Sequence, residues 1–108
     1  MAVDWSKVST QIMNALVGVL AKDWKTVEPA ASAQIAALVQ IGQTIEAKRA
    51  TMTSSEYEGL RISQQRAMEG ILASYAAITI VVAEQAAAAA WSVIAQALKT
   101  AYALPFIP

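Results

Sequence analysis

The sequence T-S-S-E at residues 53–56 decides the predicted fold. It has the form of a capping box, in which the Thr53 hydroxyl and the Glu56 carboxylate each accept a hydrogen bond from an otherwise unpaired main-chain N–H group. A helix is therefore expected to begin here, and no proline follows until Pro105. Because alanine, the strongest helix former, exceeds a fifth of the residues while glycine and proline are scarce, we expect an all-α protein.

Two helical arms of similar length are predicted on either side of this turn. In the first, apolar residues are spaced three or four positions apart, as on one face of a helix: Trp5, Val8, Ile12, Ala15 and Val19. Pro29 predicts a kink in that arm. The chain is thus expected to form one domain over 1–108, a long antiparallel hairpin with arm one at about 5–50, a turn at 51–55, arm two at about 56–103 and an apolar docking tail at 104–108.

The distribution of charge predicts that this hairpin associates with copies of itself. The chain is 56% hydrophobic and only 15% charged, with a net charge of zero and a mean hydropathy of +0.43. Within residues 70–98 the only charged side chain is Glu84. A chain of 108 residues cannot easily bury so much apolar surface alone, so we expect the hairpins to pack into an oligomeric helical bundle.

A compact three-helix monomer is the alternative fold. It would place separate helices at about 5–22, 30–50 and 55–100, with a break rather than a kink before Pro29. Its weakness is the length of the third helix, because the far half would have no partner to cover it. The five alanines at 86–90 cover every side of that helix and would let several neighbours approach closely.

The largest apolar side chains on the helical stripes are the predicted interaction residues. They are Trp5, Ile12, Leu16, Trp24, Ile35, Leu38, Ile71, Ile78, Val82 and Trp91, together with Phe106 in the tail. Glu84 is expected either to form a buried ion pair with Lys22 or to face a lumen inside the assembly. An unpaired carboxylate in an apolar setting would have a raised pKa.

The sequence offers no residues for catalysis, cofactor binding or metal binding. Histidine and cysteine are both absent, which removes the most common general base, the usual zinc ligands and any disulfide. Glutamates near the turn are expected to be solvated and paired with nearby arginines. A neutral chain also lacks the basic patch that nucleic-acid binding needs. We therefore expect no enzyme activity, no small-molecule substrate and no direct contact with nucleic acid.

These observations predict a structural or assembly protein, and a component of a bacteriophage particle is one setting that would suit it. The main alternative is a membrane-active protein, such as a holin-like or ejected pore component, because aromatic residues at Trp5 and Trp24 are spaced close to the thickness of a bilayer. A regulatory binding module is a third alternative. The N-terminal sequence does not resemble a signal peptide, which predicts cytoplasmic synthesis followed by a virion or membrane location.

Overall fold

The computed structural model describes residues 2–108, and this part of the chain is all-α, with no strand. Four helices follow one another: α1 at Trp5–Leu20, α2 at Trp24–Ala47, α3 at Ser54–Ala73 and α4 at Ile80–Ala101. A short 3-10 turn at Ala21–Asp23 joins α1 to α2. The prediction of an all-α protein is confirmed.

The helices run up and down, each packed against the next, and α4 returns to pack against α1. Three hydrogen bonds mark this arrangement. The indole of Trp5 at the start of α1 reaches Glu46 near the end of α2, Gln34 of α2 meets Gln64 of α3, and Trp91 of α4 meets Tyr57 of α3. The apolar side chains of all four helices therefore share one core.

The first arm is not one long helix, because the chain turns back on itself at Ala21–Asp23 and α2 runs antiparallel to α1. Ala21 has a φ of 49° and a ψ of −118°, a conformation that alanine seldom adopts. Folding α1 back on α2 buries Leu20 and Val27 in the same core, which the predicted long hairpin would have left to a neighbour. Pro29 lies after this reversal, inside α2, and a kink at that residue stays a prediction.

The second arm is interrupted as well, since α3 ends at Ala73 and α4 begins at Ile80. Thr79 is extended, with a φ of −75° and a ψ of 159°, and its hydroxyl accepts a hydrogen bond from the Val82 N–H at 3.2 Å. Ile78 is buried beside this cap. The second arm is therefore not the continuous helix that we expected. Thr79 caps a new helix by accepting a hydrogen bond from one of the main-chain N–H groups that have no partner at a helix N-terminus.

The predicted capping box is present at the start of α3. Thr53 Oγ1 accepts a hydrogen bond from the Glu56 N–H at 3.1 Å, and Glu56 Oε1 accepts one from the Thr53 N–H at 3.0 Å. A turn therefore lies between α2 and α3, at residues 48–53, somewhat earlier than the predicted 51–55. It is the second of three reversals rather than the only one.

The core is apolar and depends on close packing against α4. Four alanines of this helix, Ala83, Ala86, Ala87 and Ala90, are buried, and such small side chains allow neighbouring helices to approach closely. Within residues 2–108 no charged side chain is buried. The buried polar atoms of Tyr57 and Trp91 satisfy each other, because the indole N–H donates to the tyrosine oxygen at 2.9 Å.

Gly42 of α2 provides a test of this packing. A Cβ atom at Gly42 would overlap the six-membered ring of Trp5 and press on Ile94. We expect Gly42→Ala to lower the free energy of unfolding by about 1–3 kcal/mol, which urea denaturation would measure. The matched control is Gly18→Ala in α1, where a Cβ would meet nothing within 4 Å and where alanine should stabilise the helix by up to about 1 kcal/mol. Equal effects at both positions would contradict this view of the α1–α2 contact.

Candidate functional site

Most of the predicted interaction residues lie inside the chain's own core. Seven of them are buried and cannot contact another molecule without unfolding: Ile12, Leu16, Ile35, Leu38, Ile78, Trp91 and Phe106. Trp5, Trp24, Ile71 and Val82 are half-buried, and all of these except Ile71 pack against the core. The chain itself thus covers most of these residues, and an interaction of the others with a second molecule stays a prediction.

Glu84 and Lys22 do not form the buried pair that we predicted. Both side chains are exposed, and the one ion pair among residues 2–108 joins Arg61 to Glu58 at 2.6 Å. The reversals after α1 and before α4 explain this difference, because Lys22 lies in the 3-10 turn and not along a helical arm. Glu84 instead lies on the outer side of α4.

The largest exposed apolar side chains lie at the start of α4. Ile80 is 69% exposed and Val81 is 62% exposed, whereas Met13, Val17 and Ile62 are each only slightly more than a third exposed. Since α1 and α4 are antiparallel neighbours, Val17 near the end of α1 lies toward the same end of the bundle as Ile80. The two most exposed of these large apolar side chains and Val17 therefore lie toward one end of the bundle.

An exposed strip with little charge continues from Val81 along the helix, and we call it the α4 outer face. It consists of Val81, Gln85, Ala88, Ser92, Gln96 and Lys99, all exposed and spaced three or four residues apart. Glu84 lies beside this face, also exposed. The face is flat in its middle, because Ala88 and Ser92 have small side chains.

A groove of about 650 Å³ runs beside this face, between α1 and α4. Lys7 and Gln11 line it from α1, while Ser92 and Gln96 line it from α4. Its chemistry is mixed, since Val8 and Val93 contribute apolar surface. Among residues 2–108 no group of three or more acidic side chains is placed to hold a metal ion.

Glu46 forms the best organised polar cluster, at the other end of the bundle. Its Oε2 atom accepts hydrogen bonds from the Val3 N–H at 2.9 Å and from the Tyr102 hydroxyl at 2.6 Å, and its Oε1 atom accepts one from the Trp5 indole at 2.8 Å. Arg49 covers the Tyr102 ring, with 4.2 Å between the guanidinium carbon and the ring centroid. One carboxylate thus joins the N-terminal segment, α2 and the end of α4.

These contacts shift the pKa values of both Glu46 and Tyr102. Partial burial would raise the pKa of Glu46, but the hydrogen bonds from Tyr102, Val3 and Trp5, helped by the charge of Arg49, outweigh burial and bring the pKa below its ordinary value of 4.5. The same carboxylate raises the pKa of the Tyr102 hydroxyl. Since every donor is satisfied within the chain, we assign this cluster a structural role.

The lowered pKa predicts how stability depends on pH. Because the folded protein binds the Glu46 proton less tightly than the unfolded chain, its contribution is complete above pH 4.5 and is lost as the pH falls through the folded-state pKa. We expect Glu46→Gln to lower the free energy of unfolding by about 1–2 kcal/mol at pH 7. The difference in free energy of unfolding between this variant and the wild type should become smaller when urea denaturation is repeated at lower pH. The matched control is Glu28→Gln, at an exposed position of α2 outside any ion pair among residues 2–108, which should change neither the free energy of unfolding nor its dependence on pH.

Sequence reasoning missed Glu46, Tyr102 and Gly42. Glu46 was grouped with the solvated charges near the turn, because its neighbours in the sequence are Lys48 and Arg49. Its real partners lie more than forty residues away, and only the reversal at Ala21–Asp23 brings Trp5 to it. Gly42 itself, which follows Leu38 and precedes Ile45 at helical spacing, was the one available signal, because an isolated helical glycine often marks a close approach.

One helix, α4, is long and apolar enough to cross a membrane, judged by length and composition among the described residues. One third of its most apolar window is buried inside the chain. Core helices of globular proteins commonly have the same length and composition, so this property alone does not distinguish the two settings.

Comparisons with known proteins give no family for this chain. A scan against protein-family models finds no match, and comparisons with curated proteins and with solved structures find no match either.

Proposed function

We propose that this protein is a non-enzymatic structural protein that associates with copies of itself through apolar helix surface. The observation that supports the proposal is the exposure of Ile80 and Val81 at the start of α4. An assembly of this kind would serve as a component of a larger particle, and a bacteriophage virion, with this protein as an internal or tail component, is the setting that we propose. Other structural proteins of the same particle are the further partners.

Burial of these two side chains would supply a useful driving force. Covering one isoleucine or valine that is otherwise exposed contributes about 1.5–3 kcal/mol. The core of the single chain is already filled and its buried polar atoms are satisfied within residues 2–108. The chain itself leaves Ile80 and Val81 uncovered, and in this proposal a second copy covers them.

The test is the molar mass in solution, measured by light scattering without detergent. We expect the wild type to be a multiple of the 11.4 kDa chain, and the double variant Ile80→Lys, Val81→Lys to shift toward one chain. The matched control is Ala36→Lys, Ala67→Lys, which adds the same charge at exposed positions on α2 and α3 and should keep the wild-type mass. A wild-type protein that stays monomeric at its solubility limit would overturn the proposal.

Membrane activity is the second candidate function, and the length and composition of α4 support it. Entry into a bilayer would require α4 to leave the core, because Ala86, Ala90 and Trp91 are buried in it. Flotation with liposomes tests this candidate. Recovery with the vesicles and release of a trapped dye are expected of a pore component, whereas a protein that stays in the soluble fraction beside intact vesicles is not membrane-active.

A further inference from the structure

The charges of α4 are arranged symmetrically along the helix. Glu84 and Lys99 are its only charged residues. Ser92 lies eight residues after Glu84 and seven before Lys99, and all three side chains are exposed. A second α4 running in the opposite direction, with its middle at the same place, would therefore bring each glutamate opposite a lysine.

We propose that a second copy of this chain packs its α4 outer face against the first in antiparallel orientation, around a two-fold axis close to Ser92. This inference rests on the proposed self-association and specifies its geometry. In such a symmetric contact the same surface is used by both copies. Glu84 pairs with the partner's Lys99 and Lys99 with the partner's Glu84, so that two ion pairs fix the alignment.

The other residues of the α4 outer face fit this arrangement. Ala88 and Ser92 are small and lie near the axis, where the two helix backbones must come closest. Val81 lies at one end of the face and would be covered by the end of the partner helix. The remaining positions, Gln85 and Gln96, are uncharged, so no like charges would meet across the contact.

Lys99 also has a role within a single chain. A positive charge in the last turn of a helix interacts favourably with the helix dipole, and the Lys99 ammonium donates a hydrogen bond to the main-chain oxygen of Pro108 at 2.8 Å. These effects act on the stability of one chain and do not depend on a second copy. An experiment that reverses both charges separates the two roles.

The first experiment is a charge-reversal series followed by sedimentation equilibrium. We expect Glu84→Lys and Lys99→Glu each to raise the dissociation constant of the dimer about tenfold, because both ion pairs become repulsive. The double variant Glu84→Lys, Lys99→Glu restores the opposite pairs and should recover nearly wild-type affinity. If the two charges acted only through the helix dipole, the dissociation constant would stay at the wild-type value in all three variants, and the stability of the single chain would fall most in the double variant.

The second experiment places one cysteine at the two-fold axis. The chain contains no cysteine, so Ser92→Cys can form a disulfide only between two copies. Under mild oxidation we expect a covalent dimer of Ser92→Cys in high yield, while the control Ala67→Cys, exposed on α3, should remain mostly monomeric on a non-reducing gel.

The outcomes separate this inference from the proposed function. A monomeric wild type would overturn both. An oligomeric wild type whose single charge reversals leave the affinity unchanged, or whose Ser92→Cys variant cross-links no faster than Ala67→Cys, would overturn the antiparallel α4 contact and leave self-association in place. Restored affinity in the double reversal together with rapid cross-linking at position 92 would support it.

Discussion

Replacing Trp91 with alanine is expected to lower the free energy of unfolding by about 3–5 kcal/mol, because the change removes a large buried side chain and leaves a cavity. Trp91 is only 3% exposed. Its ring lies 5.9 Å from that of Tyr57, centroid to centroid, and its indole N–H donates to the tyrosine oxygen. Since small domains are commonly stable by about 5–15 kcal/mol in total, this single change could remove most of the stability. Urea denaturation followed by far-UV circular dichroism measures it.

The variant Tyr57→Phe isolates the hydrogen bond from the packing. It keeps the ring but leaves the Trp91 N–H buried without a partner, which should cost about 1–3 kcal/mol. A loss below about 1 kcal/mol for Trp91→Ala would mean that this side chain does not lie in a tightly packed core.

Removal of the Phe106 side chain is expected to have an effect of comparable size. Phe106 and Ile107 are buried although they follow the last helix, and the Phe106 ring lies 5.6 Å from the Tyr57 ring, between centroids. We expect Phe106→Ala to lower the free energy of unfolding by about 3–5 kcal/mol. Pro105→Ala, at an exposed neighbouring position, is the control and should change the stability little.

The two aromatic contacts should also be coupled. Trp91 and Phe106 both pack on Tyr57, so the losses in a Trp91→Ala, Phe106→Ala double variant should not add. A thermal unfolding midpoint for Phe106→Ala equal to that of the wild type would contradict the docking of the tail on the bundle. The sequence predicted a docking tail, and the structure identifies Tyr57 of the same chain as one of its partners.

The parts of the fold that could be predicted are those with local signals. Abundant alanine and scarce glycine indicated helices, and the Thr53 capping box indicated where α3 begins. The reversal at Ala21–Asp23 has no such signal, because an alanine with a positive φ is held by the packing of α1 on α2 rather than by its own preference. Thr79 was a recognisable cap, but the apolar residues around it suggested a continuous helix.

The candidate site was harder to predict than the core, for a physical reason. A helical stripe of apolar residues shows that a surface is buried but does not show whether the same chain or a second copy buries it. Ile12 and Trp91 were therefore assigned to an interface although the chain covers them itself. Ile80 and Val81 were not predicted as interaction residues, because their neighbours fit the helical spacing of the apolar stripe better. They lie in the first turn of α4, directly after the break between α3 and α4, where they are exposed.

The Glu46 cluster has a consequence for the connectivity of the chain. Because Val3 and Tyr102 bind the same carboxylate, while Lys99 holds Pro108 nearby, both ends of the described chain lie at one end of the bundle. A short glycine-rich linker could join them, and new ends could be opened between Ala76 and Ala77, which are both exposed in the connection between α3 and α4. Such a circular permutant would keep every helix pair, so the order in which the helices are synthesised should matter little for the final structure.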